Sequence, residues 1–166
     1  IVFGDWSSDV CSSDLMNPDT VILIAEDDAG HFVLVKKNLW RCCVENDILH
    51  FRDGQEILDF LFQRGSGLKR KPNSSYILLL DIRMPKVDGI EVLRQLRQDT
   101  ELKKIPVIML TTTDSPEDVQ KCYDLDCNFY IVKPANYNHF MECVEKLGIF
   151  LSLDNVMVPI IDPKIS

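Results

Sequence analysis

Glu26, Asp27 and Asp28 stand together directly after one apolar run, while Asp81 closes a second such run, Thr111 a third and Lys133 a fourth. Carboxylates crowded into one pocket repel one another and rise in pKa unless a cation neutralises them. No His or Cys falls at these run ends, and an all-oxygen donor set suits a hard divalent ion, Mg²⁺ in preference to a transition metal. Glu26, Asp27 and Asp81 are therefore assigned to the metal, with the backbone carbonyl of Arg83 as a further ligand. Asp28 is expected to face outward or to cap the helix that follows. An aspartate beside Mg²⁺, an ammonium and a hydroxyl is equipped to attack phosphorus, because metal and ammonium neutralise the charge on the equatorial oxygens. On this reading Asp81 is the nucleophile. Lys133 pairs with its carboxylate and then with the phosphoryl oxygens, and Thr111 donates a hydrogen bond to one of them.

Each residue taken singly has a plainer explanation. An Asp at the end of a strand is usually a turn or helix-cap residue, and a Lys before Pro is usually a solvated loop charge. Thr111 would be an ordinary loop hydroxyl, and Tyr130, Trp40 and the Met residues read as core. Placement at the ends of successive strands is what sets the plain explanations aside.

The elements that must deliver these residues are legible as five strand–helix units. Val21 to Ala25 reads as a buried parallel strand emptying into the acidic loop. A helix is expected over 30–45, with Phe32, Val33, Val35, Leu39, Trp40 and Cys43 on one face. Ile48 to Arg52 is strand two, Asp53-Gly54 its turn and Gln55 to Phe62 the second helix. Gly65 to Ser75 reads as a surface loop. Tyr76 to Leu80 is strand three, Ile90 to Arg97 helix three and Pro106 to Leu110 strand four. Ser115-Pro116-Glu117 announces a fourth helix, with Ser as cap and Pro at the first position, ending near Leu125. Asn128 to Val132 is strand five, and Tyr137 to Phe150 the fifth helix. This alternation predicts a doubly wound α/β fold of the flavodoxin type, a five-stranded parallel sheet of order 2-1-3-4-5 with five helices on its two faces. Its working crevice lies at the carboxyl ends of the strands.

With 166 residues, the chain suits one domain with appendages. An apolar fraction of 46 % against 27 % charged residues points to a packed core. The net charge of −8, without a basic cluster interleaved with aromatics, disfavours nucleic acid and anionic membrane as partners. No run of about 18 apolar residues is present to span a bilayer. Six cysteines lack any C-x-x-C spacing and several fall in apolar helical patterns, so buried free thiols in the reducing cytoplasm are expected. Residues 1–15 show no helical or strand period and contain the run WSSDVCSSDL, which resembles translated sequencing-adapter sequence. They are read as a non-native leader, with Met16 as the natural start. Their three acids removed, the net charge of −8 becomes −5 and stays acidic.

Over roughly residues 19–150 the sequence resembles the receiver domains of response regulators in bacterial two-component signalling. ILIAEDD at 22–28 is similar to the family's first strand and acidic pair, and LLLDIRMPKVDG at 78–89 to its phosphoacceptor strand. IPVIMLTT at 105–112 is similar to its switch-threonine strand and YIVKP at 130–134 to its lysine strand. The resemblance implies a receiver over 16–150 and a tail over 151–166. It makes Glu26 and Asp27 metal acids, Asp81 the acceptor, Thr111 and Tyr130 the switch pair and Lys133 the phosphate partner. It also implies a cis Lys133–Pro134 bond, and it places Arg83 and Thr113 at positions that tune the lifetime of the phosphoryl group. Glu26 stands where Asp is commoner. Thr112 stands where a smaller residue is usual, which bears on access to the site.

DGQEILDFL at 53–61 and TTTDSPEDVQKCYDLDCNFYIVKP at 111–134 are closer still to the phytochrome-associated small response regulators. The implied partners are a histidine kinase, phytochrome-like by that likeness, a downstream protein target and a second copy through helix 4, strand 5 and helix 5. The implied role is a phosphoacceptor in a phosphorelay rather than an enzyme. The alternative is an aspartyl-phosphate phosphohydrolase. That chemistry usually wants a second Asp two residues after the nucleophile, where Arg83 stands.

Overall fold

The computed structural model describes residues 19–42, 44–71, 74–133, 136, 138–139 and 142. Its elements are β1 (Thr20–Ala25), α1 (Ala29–Arg41), β2 (Ile48–Phe51), α2 (Gly54–Leu61) and β3 (Ser75–Leu80). They continue with α3 (Gly89–Gln98), a 3₁₀ turn (Leu102–Lys104), β4 (Val107–Thr111), α4 (Pro116–Asp124) and β5 (Phe129–Val132). The strands form one sheet of order β2-β1-β3-β4-β5, every adjacent pair parallel. The expected topology is therefore the observed one. Four of the five expected helices are described, and the fifth, over Tyr137 to Phe150, falls almost wholly outside the described residues.

Alternation along the strands divides the core in two. Val21, Leu23 and Ala25 of β1 and Tyr76, Leu78 and Leu80 of β3 face one side, where Ile57, Leu61, Val92 and Leu96 from α2 and α3 cover them. Ile22, Ile24, Ile77 and Leu79 face the other side, against Val35 and Leu39 of α1. Both central strands are buried at every position, as a parallel sheet covered on two faces requires. Each buried Leu or Ile contributes roughly 1.5–3 kcal/mol by leaving water.

Three of the four helices begin on an aspartate. Asp28, Asp53 and Asp88 accept the backbone N–H groups of His31, Glu56 and Glu91, each at 2.8 Å. These bonds satisfy donors that the first helical turn leaves open. Asp28 thus caps α1, as expected. Ser115 sits at the cap position of α4 without a side-chain bond. Its own N–H instead donates to Thr113 Oγ1 at 3.4 Å, and Pro116 with Glu117 and Asp118 carries the helix start.

Several expectations are corrected. The first helix ends at Arg41 rather than 45, because Val44 turns back to bond Leu39 O at 3.0 Å and buries its side chain in the α1 core. Trp40 is 53 % exposed and Val33 42 %, so neither belongs to the core. The buried stripe of α1 is Val35, Asn38 and Leu39, and Lys36 covers the Trp40 ring at 4.6 Å from its centroid. Met84 and Met109 are core residues, as read. The Gly65–Ser75 loop is not wholly superficial, since Arg70 and Ser74 are buried. Among the described cysteines, Cys122 and Cys127 are buried free thiols, as expected.

Candidate functional site

Parallel pairing carries the ends of β1 and β3 to the same edge of the sheet. Glu26 N donates to Phe51 O at 2.9 Å and Asp81 N to Ala25 O at 3.0 Å, so both acids leave the ladder at the same level. Lys133 follows β5 and donates its backbone N–H to Thr111 O at 2.6 Å. Its ammonium then reaches across β4, donating to Asp81 Oδ2 at 2.7 Å and to Glu26 Oε2 in a still shorter contact. All three side chains are almost fully buried. Thr111 is buried too, and its Oγ1 accepts the N–H of Thr113 at 3.4 Å. The structure thus gathers Glu26, Asp27, Asp81 and Lys133 into one cluster and sets Thr111 at the same edge.

Carboxylate oxygens of Glu26, Asp27 and Asp81 lie within 4.8 Å of one another. Burial pushes the Glu26 carboxyl above its ordinary value; the Lys133 ammonium pulls it back only in part, and Asp81 adds to the rise. One ammonium among three carboxylates leaves an excess of negative charge in a site of oxygen donors. The residues therefore fit a hard divalent cation. Arg83 brings its backbone close, donating its N–H to Asp81 Oδ1 at 3.2 Å, while its side chain is 71 % exposed.

Around this cluster lie residues that spacing alone did not reveal. His31 Nδ1 is 3.3 Å from Glu26 Oε1. His50 Nε2 is 2.8 Å from Glu26 O, with its ring stacked on Phe32 at a centroid distance of 3.8 Å. Neither has a sequence signal, because one arrives by the first turn of α1 and the other by the β1–β2 register. Asp118 on α4 contacts Arg83 at 3.9 Å and Lys121 at 3.6 Å. It also accepts from Thr113 Oγ1 at 3.5 Å. A cleft of about 750 Å³ runs between the β3–α3 loop and α4, with Asp27, Arg83, Asp118 and Lys121 in its walls.

Tyr130 is half-buried on β5, and its hydroxyl donates to Thr113 O at 2.9 Å. Burial pushes the phenol up to about 12, so it stays protonated as a donor at neutral pH. The ring is neither free in solvent nor part of the deep core. Pro134 lies outside the described residues, and with it the expected cis bond.

A doubly wound sheet with strand order 2-1-3-4-5, gathering two acids, an aspartate and a lysine at its carboxyl edge, defines a receiver of the two-component signalling class. A family model for the response regulator receiver domain matches residues 22–145, and the chain belongs to that family. It is 35 % identical over 147 residues to response regulator Rcp1 of Synechocystis sp., covering 89 % of this chain and 98 % of that one. The Mn²⁺-bound form of Rcp1 superposes with a TM-score of 0.76 at 35 % identity, over 84 % of this chain and 98 % of that one. A response regulator receiver domain from Rhodospirillum rubrum gives 0.78 at 36 % identity, over 86 % and 99 %. The phosphorylated cyanobacterial phytochrome response regulator RcpA gives 0.74 at 33 %, over 84 % and 97 %. The likeness to phytochrome-associated regulators is thus the one read from the motifs. Among the described residues no helix is long and apolar enough to cross a membrane.

Proposed function

We propose that Asp81 accepts a phosphoryl group from the phosphohistidine of a histidine kinase, with Mg²⁺ held by Glu26, Asp27, Asp81 and the carbonyl of Arg83. The observation that carries this reading is the Lys133 ammonium shared between Asp81 and Glu26 in a nearly dry pocket. In the transfer, a carboxylate oxygen of Asp81 bonds to phosphorus as the phosphorus–nitrogen bond of the donor breaks, and the leaving imidazole takes up a proton. Mg²⁺ when bound supplies Lewis-acid neutralisation of the phosphoryl oxygens. Lys133 exchanges its bond to the free carboxylate for one to the phosphoryl group. Thr111 rotates its hydroxyl from the Thr113 N–H toward the new oxygens, and Tyr130 changes its packing as the β4–α4 loop follows. This is a population shift between two packings, biased by a local charge. Arg83 and Thr113, two residues beyond Asp81 and Thr111, set how readily water reaches the acyl phosphate.

Output passes through protein contacts, and Tyr123, Phe129 and Val132 supply an exposed apolar strip on α4 and β5 that suits a second copy of the chain or a downstream target. The likeness to the phytochrome response regulator RcpA speaks for a phytochrome-like kinase as donor. A receiver over 16–150, a leader over 1–15 and a tail over 151–166 complete the reading. The buried free thiols of Cys122 and Cys127 support a reducing, cytoplasmic setting.

The test is incubation with acetyl phosphate and Mg²⁺, followed by intact-mass analysis. One acid-labile adduct per chain is expected, absent in Asp81→Asn and absent when EDTA replaces the metal. An adduct that survives Asp81→Asn, or rapid multiple turnover without an adduct, contradicts the proposal.

A further inference from the structure

The loop that carries the acceptor is gripped from a direction that the phosphotransfer chemistry does not use. Residues 82–89 fold back through Met84 N to Ile82 O at 3.1 Å, Val87 N to Pro85 O at 2.7 Å and Gly89 N to Ile82 O at 2.9 Å. At its apex Lys86 adopts a left-handed backbone, φ 64°, where Gly or Asn would sit without strain. The Lys86 ammonium donates to Asp53 Oδ2 at 2.6 Å. Asp53 is 9 % exposed at its side chain and spends its other oxygen, Oδ1, on the cap of α2. Beside it, a Cβ on Gly54 would come within 2.0 Å of Val87 O, so the β2–α2 turn and the acceptor loop touch backbone to backbone. Burial pushes the Asp53 carboxyl up, yet the Lys86 bond and the N–H of Glu56 more than reverse it, so the net value lies below the ordinary one.

We propose that Asp53 and Lys86 are positioning residues for the acceptor loop, clamping it to the β2–α2 turn so that the Arg83 backbone stays on Asp81. This rests on the reading above, in which Asp81 and its neighbours hold a divalent cation. The ion pair supplies what the lysine's strained backbone lacks, a tertiary reason to remain in place. Arg83 N–H meets Asp81 Oδ1 only because residues 82–89 keep their shape, and the proposed metal ligand is the carbonyl of that same Arg83.

Long-range electrostatics and a clamp make opposite predictions here. Removing the Lys86 charge should strengthen cation binding and removing the Asp53 charge should weaken it if only the field mattered. A clamp requires both to weaken it. The experiment is titration of the full chain with Mn²⁺, following free ion by EPR, for wild type, Asp53→Asn, Lys86→Asn and the double variant. Asn retains capping ability at 53 and tolerates the left-handed backbone at 86. Each single variant is expected to bind Mn²⁺ roughly three- to tenfold more weakly, and the double variant no more weakly than either. Circular-dichroism melts identify any variant that fails to fold. Lys86→Asn, on an exposed side chain, then carries the test alone. Unchanged affinity in the singles, opposite shifts, or additive losses overturn the clamp while leaving the metal reading intact. A wild type that binds no Mn²⁺ overturns both.

Discussion

The β3–α3 loop is fastened by backbone against backbone, whereas the β4–α4 loop hangs on side-chain hydrogen bonds near the limit of their length. On the first, a Cβ at Gly89 would stand 2.1 Å from Asp81 O and one at Gly54 2.0 Å from Val87 O, with the Asp53–Lys86 pair closing the outside. On the second, Thr113 N reaches Thr111 Oγ1 and Ser115 N reaches Thr113 Oγ1 at 3.4 Å each, and Thr113 Oγ1 reaches Asp118 at 3.5 Å. Among the described side chains that bond this loop, the Tyr130 hydroxyl, 2.9 Å from Thr113 O, is the one that bonds at ordinary length. On the function proposed above, the two loops border one site and serve different tasks. A nucleophile and its metal ligands need fixed geometry, since small misplacements slow transfer steeply. A responding loop needs two arrangements of similar free energy, and long, replaceable hydrogen bonds provide that.

The contrast breaks most visibly at Gly89. An alanine there must drive apart α3 and the acceptor strand, so Gly89→Ala should lose about 2–4 kcal/mol in urea denaturation and bind Mn²⁺ poorly. Gly67→Ala is the matched control, because nothing lies within 4 Å of its added carbon, and it should stay within about 0.5 kcal/mol of wild type. A tolerant Gly89 would mean that the acceptor loop is not packed as described.

The Tyr130 hydroxyl sharpens the other half. Tyr130→Phe should lose about 0.5–1.5 kcal/mol of stability in the unphosphorylated protein while leaving Mn²⁺ affinity unchanged. An effect on metal binding would show that the two loops are not mechanically separate.

The smallest expected effect is the acid titration of Asp53. Its carboxyl lies below the ordinary 3.8, so it stabilises the fold fully above that value, and the contribution fades as pH falls through the lowered one. The stability gap between wild type and Asp53→Asn should therefore be flat near neutrality and close in strong acid, measured by thermal melts across pH. A gap that persists unchanged in strong acid would mean that the Asp53 charge plays no part.

Much of this molecule is legible along the chain. Val21–Ala25 and Tyr76–Leu80 are apolar at every position, which only a strand covered on both faces explains, and both stop abruptly at acids. Asp28 is legible as a helix cap, whereas the caps at Asp53 and Asp88 emerge only from the bonds they accept from Glu56 N and Glu91 N. Trp40 misled, because apolar spacing on α1 does not say which arc of the helix meets the sheet, and Lys36 shields the ring from one side without burying it. The 3₁₀ turn at Leu102–Lys104 escaped notice, since it rests on the Asp99 side chain accepting from Glu101 N at 2.8 Å and Leu102 N at 2.9 Å. Arg97 carries no sequence signal beyond its place at the end of the third helix. It in fact donates to Ile105 O at 3.0 Å and Asp126 O at 2.9 Å, tying α3 to the starts of β4 and β5.

By itself the sequence determined the strand–helix alternation, and with it a parallel sheet covered on both faces, and the set of polar residues at the strand ends, because hydrophobic periodicity is encoded within a few neighbouring positions. Tertiary structure decided which of those residues touch. Lys133 lies 107 positions from Glu26 and 52 from Asp81, and Lys86 grips Asp53 across an intervening strand. Such contacts depend on strand register and on backbone approach at Gly54 and Gly89, quantities set by the packing of the whole sheet that no local stretch of residues contains.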